Sequence, residues 1–141
     1  MSVIYNISYK DKKIERQIYA EVGKSIPIVQ RFRMKGIGSQ RFQIIQASFD
    51  IGNYLVENKL NFCNIELKSL GLILYFRYKN ESYAFPIAYR KLSLYQNGQN
   101  ISIYKGSSFV KLIPAQNKTL DSIFIKKIQD QKVRFTSDPY P

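Results

Sequence analysis

The chain has no histidine and no tryptophan, a single cysteine, and ten acidic residues against 22 basic ones. Without an imidazole there is no Ser-His-Asp or Cys-His nucleophile, no histidine general base, and few of the usual zinc or haem sites. Cys63 alone cannot form an intramolecular disulfide, which agrees with a reducing compartment. It lies at the edge of an expected strand and reads as a small buried hydrophobe. The carboxylates are scattered, with no Asp-x-Asp or Glu-x-x-Glu pair to cage a metal. A hydrolase assembled from distant residues such as Asp50, Glu57 and Glu66 is the one enzymatic arrangement left open. No enzyme, no cofactor and no metal site is expected.

Long hydrophobic runs are missing too. The most apolar stretch, Leu70 to Phe76, falls far short of the ~20 residues that span a bilayer, so no transmembrane segment is expected. The opening residues MSVIYNISYKD lack a basic stretch followed by an apolar one, which is what a secretory signal needs. These features together suggest a cytoplasmic protein. Length and composition suggest one domain over residues 1–136 with a flexible tail, SDPYP, over 137–141.

What is abundant is positive charge and β-forming residues. The net charge of +12 raises the prior for a polyanionic partner: an acidic protein, a nucleic acid or an anionic membrane surface. Fifteen of the 22 basic residues are Lys, and the chain is rich in Ile, Asn, Tyr and Phe. AT-rich codons specify all of these, so codon bias competes with selection as the source of the charge.

From Phe62 to Ile113 the pattern is a meander of short strands. Asn64 to Lys68 alternates strictly, the period of a half-buried strand. Leu70 to Tyr78 reads as a central strand, and Lys79 to Ser82 as a turn. Tyr83 to Ile87 holds Pro86, which cannot donate to a ladder and belongs at an edge or bend. Leu92 to Tyr95 and Asn100 to Lys105 flank Asn97-Gly98, residues suited to the positive φ of a tight hairpin. Gly106 to Ser108 turns the chain into a last strand, Phe109 to Ile113. After Pro114 comes a helix, capped by Asn117 or Thr119, with Asp121 in its first turn and Lys126, Lys127 and Lys132 in its second half. Its expected apolar stripe is Leu120, Ile123, Phe124 and Ile128.

The N-terminal part is less regular. Val3 to Tyr9 alternates as a strand. Ile14 to Val22 fits either a helix face or a strand face, and the strand is preferred. Ile28 to Lys35 and Arg41 to Phe49 read as two strands joined through Gly36-Ile37-Gly38-Ser39, and Ile51 to Asn61 as holding a short helical turn. Two glycine-containing fragments, one like the end of a phosphate loop and one like a dinucleotide-binding fingerprint, fail on context. Gly23-Lys24-Ser25 lacks the leading Gly, with Ile18 in its place, and Gly36-Ile37-Gly38 lacks the third Gly, with Arg41 in its place.

The order from Tyr83 to Gln131 resembles the closing segment of bacterial pleckstrin-homology-like domains: Phe85-Pro86, a strand, a hairpin at Asn97-Gly98, two short strands, Ile113-Pro114 and a helix. The resemblance covers about a third of the chain and implies an α+β, mostly β fold. This would be a bent antiparallel sheet or partly open barrel closed by a C-terminal helix. Such folds host lipid, peptide and protein binding.

One segment stands out by charge. Lys24 to Phe49 holds five basic residues and no acid. Read as a strand, it points Phe32 and Met34 to the core and sets Arg31, Arg33 and Lys35 on one outer face, ~7 Å apart. Arg41 joins them from the next strand. Guanidinium groups bind phosphate in bidentate fashion, so Arg31, Arg33, Lys35 and Arg41 form the candidate anion-binding site. A solvated strand face, or charges that protect a sheet edge, are the plainer explanations. The C-terminal cations Lys126, Lys127, Lys132 and Arg134 form a weaker candidate. The expected role is therefore a noncatalytic binding or adaptor domain for an acidic or protein partner. The alternative is a nucleic-acid-binding domain that contacts phosphates. A homo-oligomer built through a strand edge is also compatible with the sequence.

Overall fold

A computed structural model describes residues 3–136; the expected tail at 137–141 lies outside the described residues. Alternation, tight turns and one central bulge generate the sheet. The strands are β1 (Tyr5–Asn6), β2 (Phe42–Ala47), β3 (Phe62–Leu67), β4 (Gly71–Tyr78), β5 (Glu81–Ala88), β6 (Leu92–Asn97), β7 (Asn100–Lys105) and β8 (Ser108–Pro114). They form one antiparallel sheet in the order β1-β5-β4-β3-β2-β8-β7-β6, which does not close on itself. The helices are α1 (Lys12–Val22), α2 (Ile28–Met34), α3 (Phe49–Gly52) and α4 (Ser122–Thr136).

The bend sits at β2. Between Ile44 and Gln46 its register with β8 slips, leaving Ile45 without a partner. A bulge of this kind bends a strand and steepens its twist. β2 pairs with β3 at only two positions but with β8 at five, so the β3–β4–β5 meander swings away from β6–β7–β8. The concave side collects the alternate residues of both halves, including Ile65, Leu74, Phe85, Ile103 and Leu112, in one core. α4 closes that core with Phe124, Ile125 and Ile128, all buried.

Several sequence expectations hold. Gly98 takes φ 64° in the β6–β7 turn, while Asn97 stays in its strand. Lys79 and Asn80 both adopt positive φ in the β4–β5 turn. Pro86 lies in β5 beyond Tyr83 and Ala84, the only residues β1 pairs, so its missing N–H costs no ladder bond on that flank.

Others are corrected. Ile14 to Val22 is helical. Asp11 caps α1 by accepting from the amides of Lys13 and Ile14, and Gly23 ends it at φ 77°. Ile14, Ile18 and Val22 turn toward the sheet, while Arg16 and Ala20 are exposed. α1 lies on the convex side of the sheet, where Val22 packs with Ile73 and Ala84. Gly71 permits that approach, since a Cβ there would strike the Ile87 carbonyl and Val22. The first strand shrinks to Tyr5–Asn6. Ile28 to Lys35 is also helical: Pro27 presets the first turn, Lys35 takes the left-handed cap at φ 61°, and the Gly36 amide reaches back to the Arg31 carbonyl at 3.0 Å. The Gly36–Ser39 segment is therefore no hairpin. It runs on to lay Gly38 beside Glu66 of β3. On α4 the cap is Asp121, which accepts from Ile123 and Phe124, and Ile123 faces solvent rather than the core.

Candidate anion-binding surfaces

The helical state of residues 28–34 rearranges the expected basic stripe. Successive residues of a helix turn by about 100°, so Arg31 and Arg33 cannot share a face. Arg31 is half-buried and its Nε donates to the Ile26 carbonyl at 2.7 Å, which fastens α2 to the segment anchored by buried Ile26. Arg33 is exposed and lines a concavity of about 460 Å3 between α2 and the end of α4, together with Pro27, Val29, Gln30, Met34 and Arg134. Lys35 is exposed at the helix end. Its carbonyl and that of Gly36 accept bonds from Lys127 Nζ of α4, at 3.2 and 3.1 Å. A cation thus meets the negative end of the α2 dipole, supplied by a distant helix.

The apolar residues of α2 face the wrong way for a core element. Phe32 is 86% exposed, Ile28 77% and Val29 65%, and no residue of α2 is buried. Phe32 was expected inside; only Met34 leans on the core, half-buried. Among the described residues no carboxylate lines the concavity that Arg33 and Arg134 share. Arg134 lies 5.3 Å from the Phe135 ring, which stacks on Tyr89.

Arg41 belongs to a second surface. It is exposed, and its guanidinium sits 4.1 Å over the Phe62 ring. The adjoining groove, about 530 Å3, includes Asn64, Tyr75, Arg77 and Ser82 of β3–β4–β5, and among the described residues no carboxylate lines it. Arg77 is held by bonds from its guanidinium to Ser82 Oγ at 2.8 Å and the Asn80 carbonyl at 2.9 Å. The four sequence candidates therefore divide. Arg33 and Lys35 flank an apolar helix, Arg31 is a structural tie, and Arg41 pairs with Arg77 elsewhere. Sequence reasoning missed Arg77, although its place in the alternation after Leu72, Leu74 and Phe76 marks it as facing away from the core.

Several other titratable groups are committed within the fold. Burial pushes the Cys63 thiol pKa far up, so it carries little thiolate. Asp50 accepts from the hydroxyls of Ser48 and Ser108, each at 2.6 Å. Glu66 accepts from the Tyr75 hydroxyl at 2.9 Å and pairs with Lys68 at 3.3 Å. Burial raises the Glu21 pKa, but the Ala88 amide, Lys105 and Lys91 outweigh it and hold the carboxyl below its usual range. Among the described residues no three His, Cys, Asp or Glu side chains gather as a metal site, and no helix is long and apolar enough to cross a membrane.

Comparison with known proteins finds no matching family model, no matching curated protein and no matching solved structure.

Proposed function

We propose that the protein is a noncatalytic binding domain of pleckstrin-homology-like architecture that engages an acidic partner through the surface formed by α2 and the end of α4. The bulged β2, shared between two antiparallel meanders, and the helix laid over the open core support the architecture. One observation carries the function: three large apolar side chains stand in solvent beside Arg33 and Arg134, and among the described residues no acid lines the concavity between the two arginines. Exposed apolar groups rimmed by charge of one sign mark an interaction surface.

The test is retention on phosphocellulose. Arg33→Glu/Arg134→Glu elutes at much lower salt than Lys59→Glu/Lys118→Glu, which changes the net charge equally at exposed positions elsewhere. Equal elution of the two variants refutes the reading.

A second reading is favoured by the Arg41 groove. Two guanidiniums, an aromatic pair and amide side chains on a sheet face form a surface suited to single-stranded nucleic acid, with phosphates on Arg41 and Arg77 and a base near Tyr75. Fluorescence anisotropy of a labelled oligonucleotide tests it. Binding falls with salt and is lost in Arg41→Ala/Arg77→Ala if this groove is the site. No binding at low salt removes this reading.

A further inference from the structure

We infer that α2 is an in-plane membrane anchor, and that the acidic partner of the proposed binding surface is the headgroup layer of an anionic bilayer. This rests on that reading of the α2–α4 surface and names its ligand.

Projected down the helix axis, Ile28, Phe32 and Val29 fill an arc of about 100°. Arg33 borders that arc on one side and Arg31 stands on the other, while Lys35 follows just past the helix in its left-handed cap, exposed. Gln30 and Met34 occupy the opposite face, and both are half-buried. An apolar arc pointing outward with cations at its flank and at the helix end is the arrangement of a helix that lies in a bilayer interface, its hydrophobes among the acyl chains and its cations at the phosphates. A helix packed for stability alone has the reverse orientation. α2 is also presented firmly, tied at its start by Arg31 to Ile26 and at its end by Lys127.

The shape argues for a bilayer over other occupants. Ile28 and Phe32 project from a short helix rather than lining the concavity, and a fluid surface accommodates projecting side chains without a matching pocket. A second copy of the chain would bring Arg33, Lys35 and Arg134 against themselves, on a molecule of net charge +12. An acidic polypeptide complements the charge but leaves Phe32 without a defined receptacle.

The experiment is co-sedimentation of the full chain with phosphatidylcholine vesicles, with and without phosphatidylserine, at physiological salt. The protein is expected to sediment with the phosphatidylserine vesicles and to stay in solution with the neutral ones. Ile28→Ser/Phe32→Ser should weaken binding by at least about tenfold, since it withdraws two large apolar groups from the bilayer. That variant should leave phosphocellulose elution unchanged. Arg33→Glu/Arg134→Glu should lose both. The chain has no Trp, so Phe32→Trp supplies a single reporter whose emission should shift to the blue on anionic vesicles. A Trp that stays solvent-like while the protein sediments, or serine substitutions without effect, overturns the anchor. Retention on phosphocellulose through Arg33 and Arg134 with no vesicle binding overturns the anchor but leaves the acidic-partner reading standing. Loss of both removes both.

Discussion

α2 and α4 are both cationic helices, they touch each other, and they are built on opposite principles. α4 turns Phe124, Ile125 and Ile128 into the core and is capped by its own neighbour, Asp121. α2 buries nothing, has no side-chain cap at its start, and is completed at its end by Lys127 of the other helix. Helical stability in proteins comes mostly from packing an apolar face. α4 obeys that rule, and α2 is held by its ends while its apolar face is left available. The difference separates a helix that stabilises the fold from one that the fold displays.

Substitutions on the two helices should diverge sharply. Phe124→Ala opens a cavity among Phe42-class core side chains and should cost about 3–5 kcal/mol in denaturant titration. If it costs no more than a surface change, α4 does not close the core. Asp121→Ala removes two capping bonds and should cost about 1 kcal/mol, read from the same titration. Lys127→Met withdraws the cation from the end of α2 and should cost roughly 0.5 kcal/mol, with faster amide exchange in α2 than in α4. α1 offers an intermediate case, confined to acid. Glu21 has a depressed carboxyl in the fold, so its contribution is present above its unfolded value near 4.5 and disappears as pH falls through the lower folded value. Glu21→Gln should therefore flatten the acid limb of the stability profile; an unchanged limb would place the loss on other carboxylates. The smallest effect belongs to the most exposed hydrophobe of α2: Phe32→Ser should leave stability within about 0.5 kcal/mol. A large loss there would mean that α2 packs as α4 does.

The same contrast explains how much was legible in the sequence. β3 to β8 announce themselves because alternation and turn residues are local, and the strands pair largely with their sequence neighbours. α4 is legible from its period, but its cap and stripe shift by a residue or more: Asp121 is the cap, and Ile125 replaces Ile123 in the core. α1 and α2 fail for a different reason. Eleven and seven residues fit either period, and alternation places Phe32 inside because large hydrophobes usually are. Pro27 and the left-handed Lys35 decide for the helix, and neither signal outweighs an apparent Val-x-Arg-x-Arg alternation. The candidate site suffers accordingly. The cationic run is correctly located, but its residues are distributed by the fold. Arg33 shares a concavity with Arg134 and Arg41 a groove with Arg77, groupings that depend on how distant elements pack.

The bond from Lys127 to the carbonyls of Lys35 and Gly36 joins positions more than ninety residues apart. As the chain leaves the ribosome, α2 emerges before strands β2 to β8, and its last turn is closed only after all of them have been made. The surface around α2 is thus completed after the sequence that builds the sheet has been translated.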